Sequence, residues 1–328
     1  MQKLLSIIIP TYNMEALLDQ CLISLVLDDM SMRERMDVIV VNDGSTDGSS
    51  VIAHRYVNKY PEMFSVIEKA NGNYGSCVNA ALPCVKGKYV RILDADDSYV
   101  TANLNEYLCI LECQNVDLVL NNYETIESTG NIVSKKEFEF KTNQIFKFSE
   151  ISPDTFLPMH AVAYRADIFK EINYKQTEGI SYTDMEWVFH PMIKVERVYF
   201  FDKPIYSYLL GREGQTVEFE VKMKRVSHTV KSLEKQLQLF KNIPNTIMAY
   251  QYMERLLFRR AAFVYLASIT NNAQVDLAEL DNLVKECSPS LYNRLAMVKS
   301  HVNRVGVSLP VIKMWRNPFI RFFMELLK

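Results

Sequence analysis

The stretch Val38-Ile-Val-Val-Asn-Asp-Gly-Ser-Thr-Asp47 joins four β-branched residues directly to a turn-forming run, with no polar alternation. An unbroken apolar run of this length is the mark of a strand buried on both faces, as in a parallel sheet. Asp47 or Ser49 is then placed to cap a helix that runs to about residue 60. The same grammar repeats on either side. Residues 6–9 are apolar and closed by Pro10, after which Leu17, Leu18, Cys21, Leu22 and Leu25 are spaced as one helix face. Residues 64–67, 89–93 and 116–120 read as three further strands. Gly72, Gly75 and Ser76 open a helix that contains Asn79, and Leu104, Tyr107, Leu108 and Leu111 mark another. This alternation predicts an α/β fold with a mostly parallel central sheet between helices. Ligands of such sheets bind beyond the carboxyl ends of the strands. Those ends carry Pro10-Thr-Tyr-Asn13, Asp43-Gly-Ser45 and Asp94-Ala-Asp-Asp97.

The pattern loosens from about Tyr123 to Val217. A hairpin is expected at 128–131, a short strand at 160–165, and two strands at 198–201 and 205–209. Thr183 is expected to begin a helix with Asp184, Glu186 and Trp187 in its first turn. From about Glu220 onward the apolar spacing is helical throughout, which sets a domain boundary near 218 and makes 219–328 a helical C-terminal region.

The chain has 328 residues, 48% of them hydrophobic, enough to bury a sizeable core. Its 37 basic and 39 acidic residues nearly cancel, which argues against a general nucleic-acid binder. The cancellation is uneven. Residues 291–328 hold seven basic residues and one acidic, so the acidic excess lies in the body. That basic tail is interleaved with Trp315, Phe319, Phe322 and Phe323, which suits either peripheral contact with an anionic membrane or a helix packed on its own domain or on a second copy as a homodimer. Six scattered cysteines show no CxxC pair; Cys109 and Cys113 share a helix face but have no partner pair, and buried free thiols are the plainer expectation. No secretory leader is apparent, and no run reaches the ~18 apolar residues of a spanning helix. A cytoplasmic location is therefore expected, with attachment to the inner face of the membrane through the tail as an extension.

Asp94, Asp96 and Asp97 repel one another unless something offsets them. A divalent cation with hard oxygen ligands, Mg²⁺ or Mn²⁺, does so; a solvated acidic turn before the helix near Thr101 is the alternative. Asp43 can accept a ring N–H from a base, or simply reverse the chain in a D-G-S turn. Tyr12 lies on the neighbouring loop, where a base can stack.

Taken in order, Ser6-Ile-Ile-Ile-Pro-Thr-Tyr-Asn13, the Val38–Asp47 stretch, Asn71-Gly-Asn-Tyr-Gly-Ser-Cys-Val-Asn79 and Leu93-Asp-Ala-Asp-Asp97 resemble the successive signatures of glycosyltransferase family 2. The resemblance implies the GT-A fold and a nucleotide-sugar donor, a UDP-sugar, bound with a divalent metal. It also implies transfer with inversion to a glycan acceptor, lipid-linked or protein-linked, as in bacterial surface-polysaccharide or glycoprotein synthesis. Residues 1–218 then form the catalytic domain, with a donor half to about 100 and an acceptor half after it.

Carried over by position, Pro10, Thr11 and Tyr12 line the nucleoside pocket and Asp43 contacts the base. Asn79 borders the donor site, Asp94 faces the ribose or sugar, and Asp96 and Asp97 are the metal candidates. The family's base is the Asp of a Glu-Asp pair at a helix start. Here Gly179-Ile-Ser-Tyr-Thr-Asp-Met-Glu-Trp187 has Thr183 in place of that Glu, so the base is Asp184, with Glu186 in reserve. Without the resemblance, both acids are ordinary first-turn complements to a helix dipole. His160 is placed to reach acceptor or phosphate, or to be structural; Arg212 to approach the diphosphate, or to sit in a surface ion pair. The Thr183 departure also leaves room for a non-catalytic nucleotide-sugar-binding or scaffold protein on the same fold.

Overall fold

The computed structural model describes residues 2–211, 219–271, 275–302 and 307–321. The chain divides into two compact units, Met1–Glu213 and Gly214–Lys328.

The first unit is built on one sheet of strands β1 (Leu5–Thr11), β2 (Met36–Asn42), β3 (Phe64–Glu68), β4 (Tyr89–Ile92), β5 (Ser98–Tyr99), β6 (Leu118–Ile126), β7 (Ile132–Lys136), β8 (Ile145–Lys147), β9 (Val162–Arg165) and β10 (Arg197–Leu209). Their order is β3-β2-β1-β4-β9-β6-β10-β5, with β7 added to β6 and β8 to β10. Helices α1 (Leu18–Ile23), α2 (Met30–Arg33), α3 (Ser49–Lys59), α4 (Asn73–Ala81) and α5 (Thr101–Cys113) fill the connections of the first half; α6 (Asp167–Glu171) and α7 (Asp184–Trp187) follow. Strands β1 and β2 are buried almost throughout, as their unbroken apolar runs require. Leu18, Cys21 and Leu22 of α1 and Ala53 and Tyr56 of α3 face the same core.

Strands β3, β2, β1 and β4 are parallel. Beyond them the sheet is mixed, because β9 runs antiparallel to both β4 and β6, which restores the original direction for β6 and β10. The consequence is geometric. A parallel strand delivers the residues that follow it to the carboxyl rim, whereas β9 delivers those that precede it. His160, in the short turn Met159–Ala161 before β9, therefore arrives beside the end of β4.

Two strand expectations change in detail. Residues 198–201 and 205–209 belong to one strand, β10, with register shifts around Pro204. Proline has no N–H to give the ladder, and the Asn122 Nδ2 bond to Asp202 O (2.8 Å) bridges the gap. The expected hairpin at 128–131 joins β6 to β7, with Gly130 at φ +83°.

At the opposite end of the sheet a polar knot pins the strand starts. Ser6 Oγ donates to Asp37 Oδ2 (2.6 Å) and accepts from Gly87 N (2.8 Å), while Lys86 N donates to Asp37 (3.1 Å). Ser6 is wholly buried.

The second unit contains helices α8 (Phe219–Lys224), α9 (Val226–Phe240), α10 (Tyr250–Asn271), α11 (Leu277–Cys287), α12 (Pro289–Leu295) and α13 (Val311–Arg316). It is not helical throughout: β11 (Ser300–Val302) pairs antiparallel with β12 (Val307–Leu309), where β-branched valines favour extended backbone. Two basic residues of the tail turn inward. Arg294 pairs with Glu254 (3.2 Å), and Arg316 pairs with Asp281 (2.7 Å) and lies 3.5 Å over the Tyr292 ring. Phe319 is 79% exposed. Arg304, Phe322, Phe323, Glu325 and Lys328 lie outside the described residues. No described helix is long and apolar enough to cross a membrane. All six cysteines are free thiols. Cys21 and Cys77 are buried as expected, but Cys84, Cys109 and Cys113 are exposed because they fall on outward helix faces.

Ser6→Ala leaves buried donors and a buried carboxylate short of a partner. We expect a loss of about 1–3 kcal/mol, read as a lower urea midpoint with an unchanged slope.

Candidate active site

The donor side is organised around Asp43, which is 3% exposed at the end of β2. Its N–H donates to Thr11 O (2.8 Å), locking the ends of β1 and β2 together. Its Oδ1 accepts from Gly72 N (2.9 Å) and Lys69 Nζ (2.6 Å), and Lys69 also donates to Ser76 Oγ at the start of α4. Gly44 follows at φ +73°, and a Cβ there would stand 3.0 Å from Asn71 N, so the turn requires glycine. Asn13, at φ +52°, binds back across the gap: its Oδ1 accepts from Thr46 N (2.8 Å). Thr11 turns its hydroxyl back to Ile9 O. Pro10 is half-buried and Tyr12 is 47% exposed, leaving an aromatic face open beside Asp43.

The acidic loop after β4 is held by two tyrosines. The Tyr206 hydroxyl donates to Asp97 Oδ2 (2.5 Å) and accepts from Asp94 N (3.2 Å), while Leu209 N donates to Asp97 Oδ1 (2.8 Å). The Tyr74 hydroxyl donates to Asp94 Oδ1 (2.7 Å). Burial first, then the charge of Asp96, pushes the Asp94 carboxyl up to about 7, and Asp184 adds to the rise. Burial and the charges of Asp94 and Asp96 also push Asp97 well up. The His160 ring packs 4.6 Å from both Tyr206 and Tyr208, and burial with the nearby Arg91 charge pulls its pKa down to about 3, so it is neutral.

Ligand atoms of Asp94, Asp97 and His160 all lie within 4.8 Å of one another. Two carboxylates and a neutral imidazole make a donor set that suits Mn²⁺ or Mg²⁺. Asp96 lies outside that trio. It lines an open cleft together with Asp97 of that trio, Leu17, Gln20, Ser98, Glu127 and Leu209.

The third part is the segment that leads into α7. Asp184 is the first residue of the helix and half-exposed, and its charge acts on Asp94, Tyr74 and Tyr208. Glu186 is different: it is fully buried, and its Oε2 accepts from Thr177 N (3.0 Å). Trp187 anchors the turn, stacked on Phe169 at 4.5 Å. Tyr182 has φ +63°, a costly conformation for a bulky residue, one that clusters at functional sites.

The four sequence signatures thus meet on one rim. A family model described as glycosyl transferase family 2 matches residues 6–173, more than half of the chain. The chain belongs to glycosyltransferase family 2. A Mycoplasma pneumoniae protein named as an uncharacterized glycosyltransferase is 28% identical over 215 residues, covering 65% of this chain and 70% of its own length. The poly(ribitol-phosphate) beta-glucosyltransferase of Bacillus spizizenii is 30% identical over 194 residues, 54% of this chain but 30% of that protein. Among solved structures, S. aureus TarS 1-349 in complex with UDP-GlcNAc superposes with a TM-score of 0.67 at 18% identity, covering 88% of this chain and 82% of that one. The fold is the GT-A type, and this family-2 chain is an enzyme, a glycosyltransferase.

Not every sequence-predicted residue stands where the pattern suggested. Asn79 has both ends of its amide engaged by the 176–178 segment: Nδ2 donates to Gln176 O (2.9 Å) and Glu178 Oε1 (2.8 Å), and Oδ1 accepts from Gln176 N (2.8 Å). Arg212 lies outside the described residues. Lys69, Tyr74 and Tyr206 escaped sequence reasoning. Lys69 carried a weak signal, as a cation just before Asn71-Gly72; Tyr206 is 109 residues from Asp97 and carried none.

Two outcomes follow. Between about pH 4 and pH 7 the folded protein keeps a proton on Asp94 that the unfolded chain has already released, so metal-free stability falls as pH rises through that window. Urea midpoints without divalent ions should be lower above this window than inside it, and Asp94→Asn should shrink the difference. Tyr206→Phe deletes the hydroxyl that fixes Asp97 and Asp94 N. It should weaken Mn²⁺ binding by about 10–100-fold, measured by titration.

Proposed function

We propose that the chain is a metal-dependent, inverting glycosyltransferase that moves a hexose from a UDP-sugar to a hydroxyl of a bacterial surface polysaccharide. The observation that carries this reading is the convergence on one rim of a base-accepting carboxylate, Asp43, a cation-suited trio, Asp94, Asp97 and His160, and a half-exposed acid, Asp184.

In this reading the base stacks on Tyr12 and gives a ring N–H to Asp43, whose orientation Lys69 and Gly72 N fix. Asp94, Asp97 and His160, with Asp96 on the same loop, would hold Mg²⁺ or Mn²⁺. The ion supplies charge stabilisation for the departing diphosphate. Asp184 takes the proton of the acceptor hydroxyl as that oxygen bonds to the anomeric carbon. The bond from that carbon to the diphosphate oxygen breaks on the opposite face, and its electron pair leaves with UDP. One displacement of this kind inverts the anomeric centre.

The acceptor class is supported by the Bacillus spizizenii relative, whose name specifies poly(ribitol-phosphate). A polyol-phosphate polymer, in bulk or lipid-linked, is therefore the proposed acceptor. We place the enzyme in the cytoplasm, with Phe319, Lys313 and Arg321 at the membrane surface. Sedimentation with anionic vesicles, reduced by Phe319→Ser, is the expected result; equal sedimentation of both proteins removes the membrane contact.

Asp184→Asn should lower the turnover of UDP-sugar by about 10²–10⁴-fold while leaving UDP affinity nearly unchanged. Chelation should abolish turnover and added Mn²⁺ restore it. UDP release from a panel of UDP-hexoses, with and without poly(ribitol phosphate), reads both. Full activity in chelator, or in the Asp184 variant, rejects the mechanism.

A further inference from the structure

Segment 176–182, which leads into Asp184, is tied to α4 and its N-cap through residues 176–179. Asn79 makes three hydrogen bonds of 2.8–2.9 Å to it, two with the Gln176 backbone and one to Glu178 Oε1. Gly179 N donates to Gly72 O (3.0 Å). Glu186 reaches back from α7 to accept from Thr177 N. Contact is so close at Gly75 that a Cβ there would stand 2.0 Å from Thr177 O. The Gly72 peptide is shared by both sides, since its N–H donates to Asp43 Oδ1 and its carbonyl accepts from Gly179.

We propose that Asn79 and Glu186 are positioning residues that strap segment 176–182 onto α4 and so fix Asp184 relative to the bound donor. This rests on reading Asp184 as the base. Glu186, enclosed and committed to Thr177, serves the base without being one. Asn79 serves the donor site indirectly, through the segment it grips. The strap also holds the costly φ of Tyr182 two residues before the base. A displacement of about 1 Å at a reacting group can cost about 10²-fold in rate, so hydrogen bonds far from the chemistry can matter this much.

The test uses the full chain, with hydrogen exchange as a readout that needs no substrate. Amides of 176–183 should exchange at least about 10-fold faster in Asn79→Ala and Glu186→Ala than in the unaltered protein, with the 38–46 segment unchanged. UDP release from UDP-glucose or UDP-N-acetylglucosamine should fall about 10–100-fold in kcat in both, with UDP affinity within about 3-fold. Glu186→Gln keeps an acceptor for Thr177 N and should retain most of the activity; a base replaced by its amide would not. Adding Asn79→Ala to Asp184→Asn should cost nothing further, because a residue acting through Asp184 has nothing left to place. Unchanged exchange in both alanine variants overturns the strap. An inactive Glu186→Gln with native exchange overturns the positioning role. A fully active Asp184→Asn instead removes the base reading, while the exchange result still judges the strap.

Discussion

Crowding of like charge at the end of β4 is the constraint around which the first unit is arranged. Asp94, Asp96 and Asp97 are three of four consecutive residues, and the Asp184 charge acts on the same place. Ionised carboxylates this close and this sheltered are costly. At Asp94 and Asp97 the fold supplies neutral hydroxyl donors. Tyr206 and Tyr74 donate to the loop, and both phenols are held well above their ordinary pKa by burial and the neighbouring carboxylates, so they remain donors. A donor of this sort fixes geometry without neutralising the loop. The negative field is left for a cation to answer.

The nearest buried cation is used differently. Arg91 is wholly buried on β4, and its guanidinium donates to Asn121 Oδ1 (3.0 Å) and His160 O (2.8 Å) while lying over the Tyr99 and Tyr107 rings. Its hydrogen bonds to side chains go to neutral groups, Asn121 and Tyr107. Beneath the rim it fixes the turn that carries His160, and its charge helps keep that imidazole neutral, which is the form a metal requires. The partly exposed Lys69, by contrast, pairs directly with Asp43. Asp43 is paired with a cation, whereas Asp94 and Asp97 accept from tyrosine hydroxyls. The two halves of the rim differ in this respect more than in residue type.

The donor half was readable because its chemistry is local. In β1, β2 and β4 the buried strand and the turn residues that follow are contiguous in sequence, so strand, loop and function share one signature. The hairpin at 128–131 and the helix start at Thr183 were readable for the same reason. What escaped came from distant chain. His160 was already a candidate, but its place beside the carboxylates depends on β9 being antiparallel, and no periodicity in a four-residue strand reports its direction. Proline at 204 suggested a break in what is one strand, because the side chain of Asn122 that bridges the gap lies 80 residues away. Glu186 stood as a reserve base or a first-turn complement to the helix dipole; in the structure it is buried and accepts from Thr177 N.

Asn79 shows how far a correct motif can carry a reading. Its place in Asn71–Asn79 identified the segment but not the contact, because its partners lie 97 and 99 residues further on. A motif records which positions a site depends on, whether or not they touch the ligand. In the proposed mechanism the donor and acceptor sides are separate stretches of chain whose relative position must be set to within a fraction of an ångström. Backbone contact between Gly72 and Gly179, cleared by the absent side chain of Gly75 and flanked by Asn79 and Glu186, is suited to that task. Backbone carries fewer rotamers than any side-chain bridge of the same span. The glycine at position 75 is therefore explained by the close approach of Thr177, in the segment that leads to the proposed base.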